Sequence, residues 1–210
     1  MPLNLALAGL RARKVAVSLA TPDYWCGIRR GVFPALEAAE MPFLTPDVVL
    51  DVGANRGQFA LLARHLFPDA AIHSFEPVAE AATVAASLGI AELYPVALGA
   101  AVGSATLYVP ANDDSASLKT GEGAPRTVAV RTLDSFAIDG ARMLLKVDVQ
   151  GAEREVLAGA RDTLRRCQQV MIEYGDADAL VALLAPLGFR LTHDLPAWWG
   201  GGDLLLTRHG

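Results

Sequence analysis

The sequence predicts an α/β protein: a mostly parallel sheet with helices on both faces, closed at its C-terminal end by an antiparallel hairpin. Three observations carry this. Apolar runs of strand length alternate with amphipathic runs of helix length, several apolar runs stop at an acid, and glycines follow the first of them at once. Strand and helix in alternation imply parallel strands joined by crossover helices. The 210 residues, 52% of them hydrophobic, suffice for one substantial core.

At the N-terminus, Leu3, Leu7, Leu10 and Val17 fall at helical spacing with Arg11, Arg13 and Lys14 nearby. A secretory signal carries its charges ahead of the apolar stretch, and here they follow it. The expectation is an amphipathic helix packed on the domain with a solvated basic face. Helical segments over 3–20 and 24–40 make residues 1–44 an N-terminal helical extension and 45–210 one domain. Within that domain, strands are predicted near 48–52, 71–75 and 92–97, with helices at 57–67 and 77–88. Ala105-Thr106-Leu107-Tyr108-Val109 and Thr127-Val128-Ala129-Val130-Arg131 read as strands flanking a polar loop, Asn112 to Ser117. Met143-Leu144-Leu145-Lys146-Val147-Asp148 reads as a central strand, and the helical pattern from Gly151 puts Val156, Leu157, Ala160 and Leu164 on one face. Gln169 to Glu173 is a further strand, and a helix follows over 176–186. Phe189 to His193 and Asp203 to Thr207 form the final antiparallel pair around Pro196 and Gly200-Gly201-Gly202.

The same residues exclude several classes. Between Leu93 and Asn112 no charge appears, yet Pro95, Gly99, Gly103 and Pro110 interrupt the run, so two buried strands around a turn explain it better than a membrane span. A net charge of -5 offers no electrostatic footprint for nucleic acid. Cys26 and Cys167 are solitary and far apart, which suggests neither disulfides nor a zinc site and fits a reducing cytoplasm.

Val48-Val49-Leu50-Asp51-Val52-Gly53-Ala54-Asn55-Arg56-Gly57 is an apolar strand that meets a carboxylate and breaks into glycines, and Ile72-His73-Ser74-Phe75-Glu76-Pro77 repeats the strand-then-acid pattern. Two adjacent strand ends of this kind suit a nucleoside. Gly53 and Gly57 let the backbone turn and approach a ligand closely, and an acid closing the next strand can accept both ribose hydroxyls. The spacing Asp-x-Gly-x-x-x-Gly favours S-adenosylmethionine over NAD. A dinucleotide needs bare backbone for its pyrophosphate where this chain has Asp51 and Arg56, whereas a cationic sulfonium and amino group welcome a carboxylate. Asp51, Glu76, Asp148 and Glu173 all fall at carboxyl ends of predicted strands, the ligand edge of an open α/β sheet.

Asp51 to Gly57, Phe75-Glu76-Pro77, Ala97-Leu98-Gly99 with Gly103, Thr132-Leu133-Asp134, and Lys146-Val147-Asp148-Val149-Gln150-Gly151-Ala152-Glu153 with Val156-Leu157 and Gly159-Ala160 together resemble the FkbM-type methyltransferase family, in order from about residue 24 to about residue 175. The resemblance implies a single Rossmann-like class I S-adenosylmethionine-dependent methyltransferase domain, commonly an O-methyltransferase acting on hydroxyls of sugars or natural products. It implies that Asp51, Gly53, Asn55 and Gly57 line the methionine end, that Glu76 with Pro77 beside it binds ribose, that Ala97 and Leu98 lie near adenine, and that Asp148 faces the methyl-transfer region. The chain departs at position 150, where the family usually has Glu and this sequence has Gln150, which puts any anionic role there in doubt.

Methyl transfer from a sulfonium is an in-line displacement, so much of its rate comes from alignment in a dry pocket. A hydroxyl acceptor must also lose its proton, and Asp148 is the first choice for base or acceptor-orienting group, with His193 and Glu173 behind it. A less favoured alternative has Asp148 and Glu173 holding Mg²⁺. Ser115 and Ser117 in the polar loop and the pair Trp198-Trp199 before the glycines are candidate acceptor contacts, through stacking and apolar contact for the indoles. The bland alternative for the Trp pair is packing on the N-terminal helices or across a homodimer. Two other functions share this fold: an NAD-type oxidoreductase, which the missing glycines disfavour, and a non-catalytic nucleoside-binding module, against which Asp51, Glu76 and Asp148 speak.

Overall fold

The computed structural model describes residues 12–109, 123–196 and 201–209. Leu3, Leu7 and Leu10, the loop with Ser115 and Ser117, and the Trp198-Trp199 pair lie outside the described residues. In chain order the strands are β1 (Val48–Val52), β2 (Ala71–Phe75), β3 (Glu92–Tyr94), β4 (Ala97–Leu98), β5 (Gly103–Val109), β6 (Ala124–Arg131), β7 (Met143–Val147), β8 (Cys167–Tyr174), β9 (Phe189–Pro196) and β10 (Gly202–Arg208). The helices are α1 (12–20), α2 (Trp25–Ile28), α3 (Gln58–Leu66), α4 (Ala79–Ser87), α5 (Glu153–Ala158), α6 (Arg161–Leu164) and α7 (Ala177–Leu184).

Seven strands form the main sheet in the order β3-β2-β1-β7-β8-β10-β9, and β4-β6-β5 form a small second sheet. β3, β2, β1, β7 and β8 pair in parallel, while β10 runs antiparallel between β8 and β9. The chain leaves β1 towards β2 and β3, then returns to lay β7 on the other side of β1. That reversal is the topological switch point where open α/β sheets bind ligands.

All five residues of β1 are buried, as expected for a parallel strand covered on both faces. Alternation divides its side chains between two cores. Val48, Leu50 and Val52 join Met143, Leu145 and Val147 against Val156, Leu157, Leu164, Leu180 and Leu184 of α5, α6 and α7. Val49 joins Ile72, Leu144, Met171 and Leu205 against Phe59, Ala60 and Ala63 of α3 and against Ala38 and Met41 of the N-terminal segment.

Five expectations need correction. The helix expected over 24–40 is a 3-10 turn at Pro22–Tyr24, the single turn of α2 and a 3-10 segment at Leu36–Glu40. Gly31 at φ 69° and Pro34 stop any continuous helix between them. The basic face of α1 is not merely solvated: Lys14 pairs with Glu37 at 3.2 Å and Arg13 with Glu40 at 3.5 Å. The strand expected near 92–97 is two strands in two sheets, since Val96 N donates to Tyr94 O at 2.9 Å in a tight turn. Of the two buried strands expected between Leu93 and Asn112, β4 is buried, whereas β5 buries only Leu107. The helix from Gly151 breaks at Gly159 into α5 and α6, but Val156, Leu157, Ala160 and Leu164 are all buried as the pattern required.

Candidate active site

The loop after β1 is folded by its own backbone. Gly53 and Ala54 donate to the Phe75 carbonyl at 3.0 and 3.1 Å, and Gly53, Asn55 and Gly57 adopt positive φ of 73°, 48° and 94°. Glu76, just past β2 and 6% exposed, holds this loop: Asn55 N donates to Oε2 and Val78 N to Oε1, each at 2.8 Å. Burial pushes the Glu76 carboxyl up, and these two hydrogen bonds oppose the shift. Each oxygen keeps a lone pair for a ligand hydroxyl. Ala97 and Leu98 are buried in β4, a few residues past Tyr94, whose carbonyl accepts from Glu76 N at 3.1 Å.

The glycines answer to packing as well as to turning. A Cβ on Gly53 would lie 1.7 Å from the Asp148 carbonyl oxygen, and one on Gly57 2.7 Å from Leu88 Cδ1. The cofactor-side loop and the end of β7 therefore touch backbone to backbone, a contact reinforced by Asp148 N donating to Val52 O at 3.0 Å.

Asp51 is fully buried, on the sheet face that carries Val49 and packs on α3. Its register partner on β2 is Ser74 and on β7 is Lys146. Burial raises the Asp51 carboxyl, and the Lys146 ammonium 3.2 Å from Oδ1 pulls it back. No ligand outside the fold reaches this carboxylate in the present conformation. Lys146 is the residue the sequence reading passed over. Its Nζ, buried with the side chain 8% exposed, lies 3.4 Å from Asp148 Oδ2 and donates to Gly53 O at 2.8 Å. Desolvation would lower its pKa, but Asp51 and Asp148 overcompensate and keep it charged. The available signal was a lysine inside an otherwise apolar central strand, which survives there only with counter-charges.

Asp148, Gln150 and Glu173 meet at the ends of β7 and β8. Gln150 Nε2 donates to Glu173 Oε2 at 2.6 Å and lies 3.4 Å from Asp148 Oδ1. The turn that aims it has Gln150 at φ 50° and Gly151 at φ 99°. A non-glycine residue in the left-handed region is strained and persists where its surroundings hold it. Glu173 is pushed up to about 9 by burial, then by its hydrogen bond and charge contact with Asp148. Burial also pushes up Asp203, directly opposite Glu173 on β10, to about 6, with the Asp148 charge adding to it. Burial acts upwards on Asp148 too, but the Lys146 charge and the hydrogen bonds from Glu173, Lys146 and Gln150 hold it below its ordinary value. Asp148 is thus the ionised member and Glu173 the protonated one.

Beside this pair opens a cleft of about 510 Å³, walled by Gln150, Arg154, Glu173, Tyr174, Asp176 and Leu180 among others. His193 is not part of that wall. It sits on the edge strand β9 opposite Leu205. An amide N–H and an ammonium face Asp148, and among the described residues no group of three or more His, Cys, Asp or Glu side chains is placed to hold a metal ion.

A mostly parallel sheet of this order, with a glycine loop at its switch point and acids at the neighbouring strand ends, is the fold seen in Rossmann-like methyltransferases. The family profile described as the Methyltransferase FkbM domain matches residues 51–191, and the chain belongs to that family. It is 32% identical to 31-O-demethyl-FK506 methyltransferase FkbM of Streptomyces tacrolimicus, over 75% of this chain and 78% of that one. It is 28% identical to the 2-O-methyltransferase NoeI of Sinorhizobium fredii (strain NBRC 101917 / NGR234), over 80% and 77%. Among solved structures, the FkbM methyltransferase of Methylobacillus flagellatus KT superposes with a TM-score of 0.57 at 17% identity, covering 83% of this chain and 46% of that longer one. The ribosomal protein L11 methylase of Lactobacillus delbrueckii subsp. bulgaricus gives 0.50 at 15%, covering 83% and 76%. These last two likenesses show the fold.

Proposed function

We propose that the protein methylates a hydroxyl oxygen of a small-molecule acceptor, a sugar or a natural product, held in the cleft beside Asp148 and Glu173. The observation that supports this most directly is the contact of the Gly53 loop with Asp148, which sets a cofactor strand end against an acid joined through Gln150 to Glu173, and both Gln150 and Glu173 line the cleft. The names of the two relatives, both O-methyltransferases, agree with it. Asn55, Gly53 and Gly57 shape the methionine side, Glu76 accepts ribose hydroxyls, Pro77 fixes the chain beyond it, and Ala97 with Leu98 flank adenine. Asp51 acts from behind the loop, as counter-charge to Lys146.

S-adenosylmethionine supplies a methyl group made electrophilic by its sulfonium. Asp148 accepts a hydrogen bond from the acceptor hydroxyl and directs the oxygen lone pair forward. As the new O–C bond forms, the hydroxyl proton becomes strongly acidic, so a carboxylate of lowered basicity suffices to take it. Glu173, protonated, donates to Asp148 and leaves that carboxylate a single charge to orient. Arg154, Tyr174 and Asp176 line the path of the acceptor.

The test is a screen of glycosides and hydroxylated natural products for production of S-adenosylhomocysteine, repeated with Asp148→Asn. With the true acceptor, turnover should fall roughly 10²- to 10⁴-fold in the variant. Full turnover of Asp148→Asn would remove Asp148 from the chemistry.

A further inference from the structure

We propose that Lys146 is a positioning residue that couples the two halves of the site, one ammonium group holding the Gly53 carbonyl of the cofactor loop and the Asp148 carboxylate of the acceptor side at once. The proposal rests on the reading of Gly53 as cofactor loop and Asp148 as acceptor acid.

The geometry gives the ammonium three partners in a nearly buried position. Gly53 O lies at 2.8 Å, Asp51 Oδ1 at 3.2 Å and Asp148 Oδ2 at 3.4 Å, and the stem of Lys146 runs in a strand whose other four residues are apolar. The Gly53 contact is a hydrogen bond, and the two carboxylate contacts are ion pairs. The Phe59 ring, with its centroid 5.9 Å away, closes the space behind. Movement of the Gly53 carbonyl when a ligand settles on the loop must shift the ammonium or lengthen that bond. Either change is felt at Asp148 Oδ2, because the ammonium that contacts it is nearly buried and its charge is weakly screened on that side. The backbone of Gly53 also abuts the Asp148 carbonyl, and the ammonium adds to that contact a path that ends on the Asp148 carboxylate. Coupling is reciprocal, so an acceptor bound to Asp148 changes the hold on the cofactor loop by the same factor.

A purely structural role would have Lys146 do no more than neutralise the buried Asp51. The two roles separate in a pair of variants that both lack Asp51. In Asp51→Asn, Lys146 keeps Asp148 and Gly53. In Asp51→Asn with Lys146→Met, the buried ion pair is replaced by neutral groups of similar size, a change that folded proteins tolerate far better than loss of one partner. S-adenosylhomocysteine binding is measured by calorimetry, and the Asp148 carboxyl carbon is followed by NMR as the ligand is added. The coupling role expects the double variant to bind about tenfold more weakly than Asp51→Asn, and its Asp148 signal to stay still at saturation where that of Asp51→Asn moves. An equal response of Asp148 in both variants, or equal affinity, overturns the proposal while leaving the cofactor reading intact. Failure of the wild-type protein to bind S-adenosylhomocysteine removes the cofactor reading and this proposal together. Neither readout requires a known acceptor, and loss of thermal stability alone would move neither.

Discussion

Glu76 shows how one side chain serves fold and ligand together. Its two oxygens already accept the N–H groups of Asn55 and Val78, so the ribose acid is also the peg on which the glycine loop hangs. Glu76→Ala should weaken S-adenosylhomocysteine binding by about 1.5 to 3 kcal/mol in calorimetry, the cost of losing a charged acceptor. Glu76→Gln should fall nearer to Ala than to wild type, because one oxygen becomes an NH₂ that must face a backbone N–H. An affinity of the Gln variant equal to wild type would show that one of the two loop bonds is dispensable. The sequence made the acid visible through its place after an apolar strand. It did not reveal the second duty, which depends on Asn55 N lying against a carboxylate 21 positions away. Asp51 was equally visible, and its burial was not, since only the register of β1 on β7 puts Lys146 beside it.

At the scale of elements, period and punctuation located nearly every strand of the main sheet, because buried parallel strands are uninterrupted apolar runs and their ends are marked by acids and glycines. What escaped was the partition into two sheets and the break between α5 and α6. The first traces to the tight turn between Tyr94 and Val96, and the second to Gly159. A Cβ there would lie 2.0 Å from the Gly99 carbonyl, and Gly159 O accepts from Asp134 N at 3.1 Å, so the glycine is where the helical layer and the small sheet meet. Gly159 has φ -90°, so Gly159→Ala introduces no backbone strain, only collision. It should destabilise the protein by at least the 1–3 kcal/mol typical of overpacking, read from denaturant unfolding. Gly103→Ala, at the start of β5 with nothing near its Cβ position, should be close to neutral. A neutral Gly159→Ala would mean that the small sheet shifts freely on its helices.

For the molecule as a whole, the acid cluster sets the pH dependence of stability. Glu173 at about 9 and Asp203 at about 6 lie above their ordinary values of 4.5 and 3.8. Between those limits the folded protein binds more protons than the unfolded chain, so stability must fall as pH rises. The stabilisation is complete below about pH 4 for this pair and is lost progressively up to pH 9. Melting temperature should therefore decline from pH 5 to pH 9, and Glu173→Gln, whose amide imitates the protonated acid, should flatten the upper part of the curve. A melting temperature that rises over that range would contradict a protonated Glu173. The Gln150 bridge was quoted from the sequence as a departure, yet its meaning lay in a turn at φ 50° that no local pattern announces.

The position of β10 has a consequence for how the chain assembles. It is the last strand in sequence among the described residues, yet it lies inside the sheet, between β8 and β9. During synthesis β9 emerges with no neighbour to pair with, and β8 presents an open edge until β10 arrives to fill the gap between them. The nascent protein thus passes through a stage in which one finished edge and one orphan strand are both exposed, the condition that favours self-association. Refolding yield should depend on concentration up to the moment β10 inserts, and a chain halted before Gly202 should aggregate rather than form a smaller stable sheet.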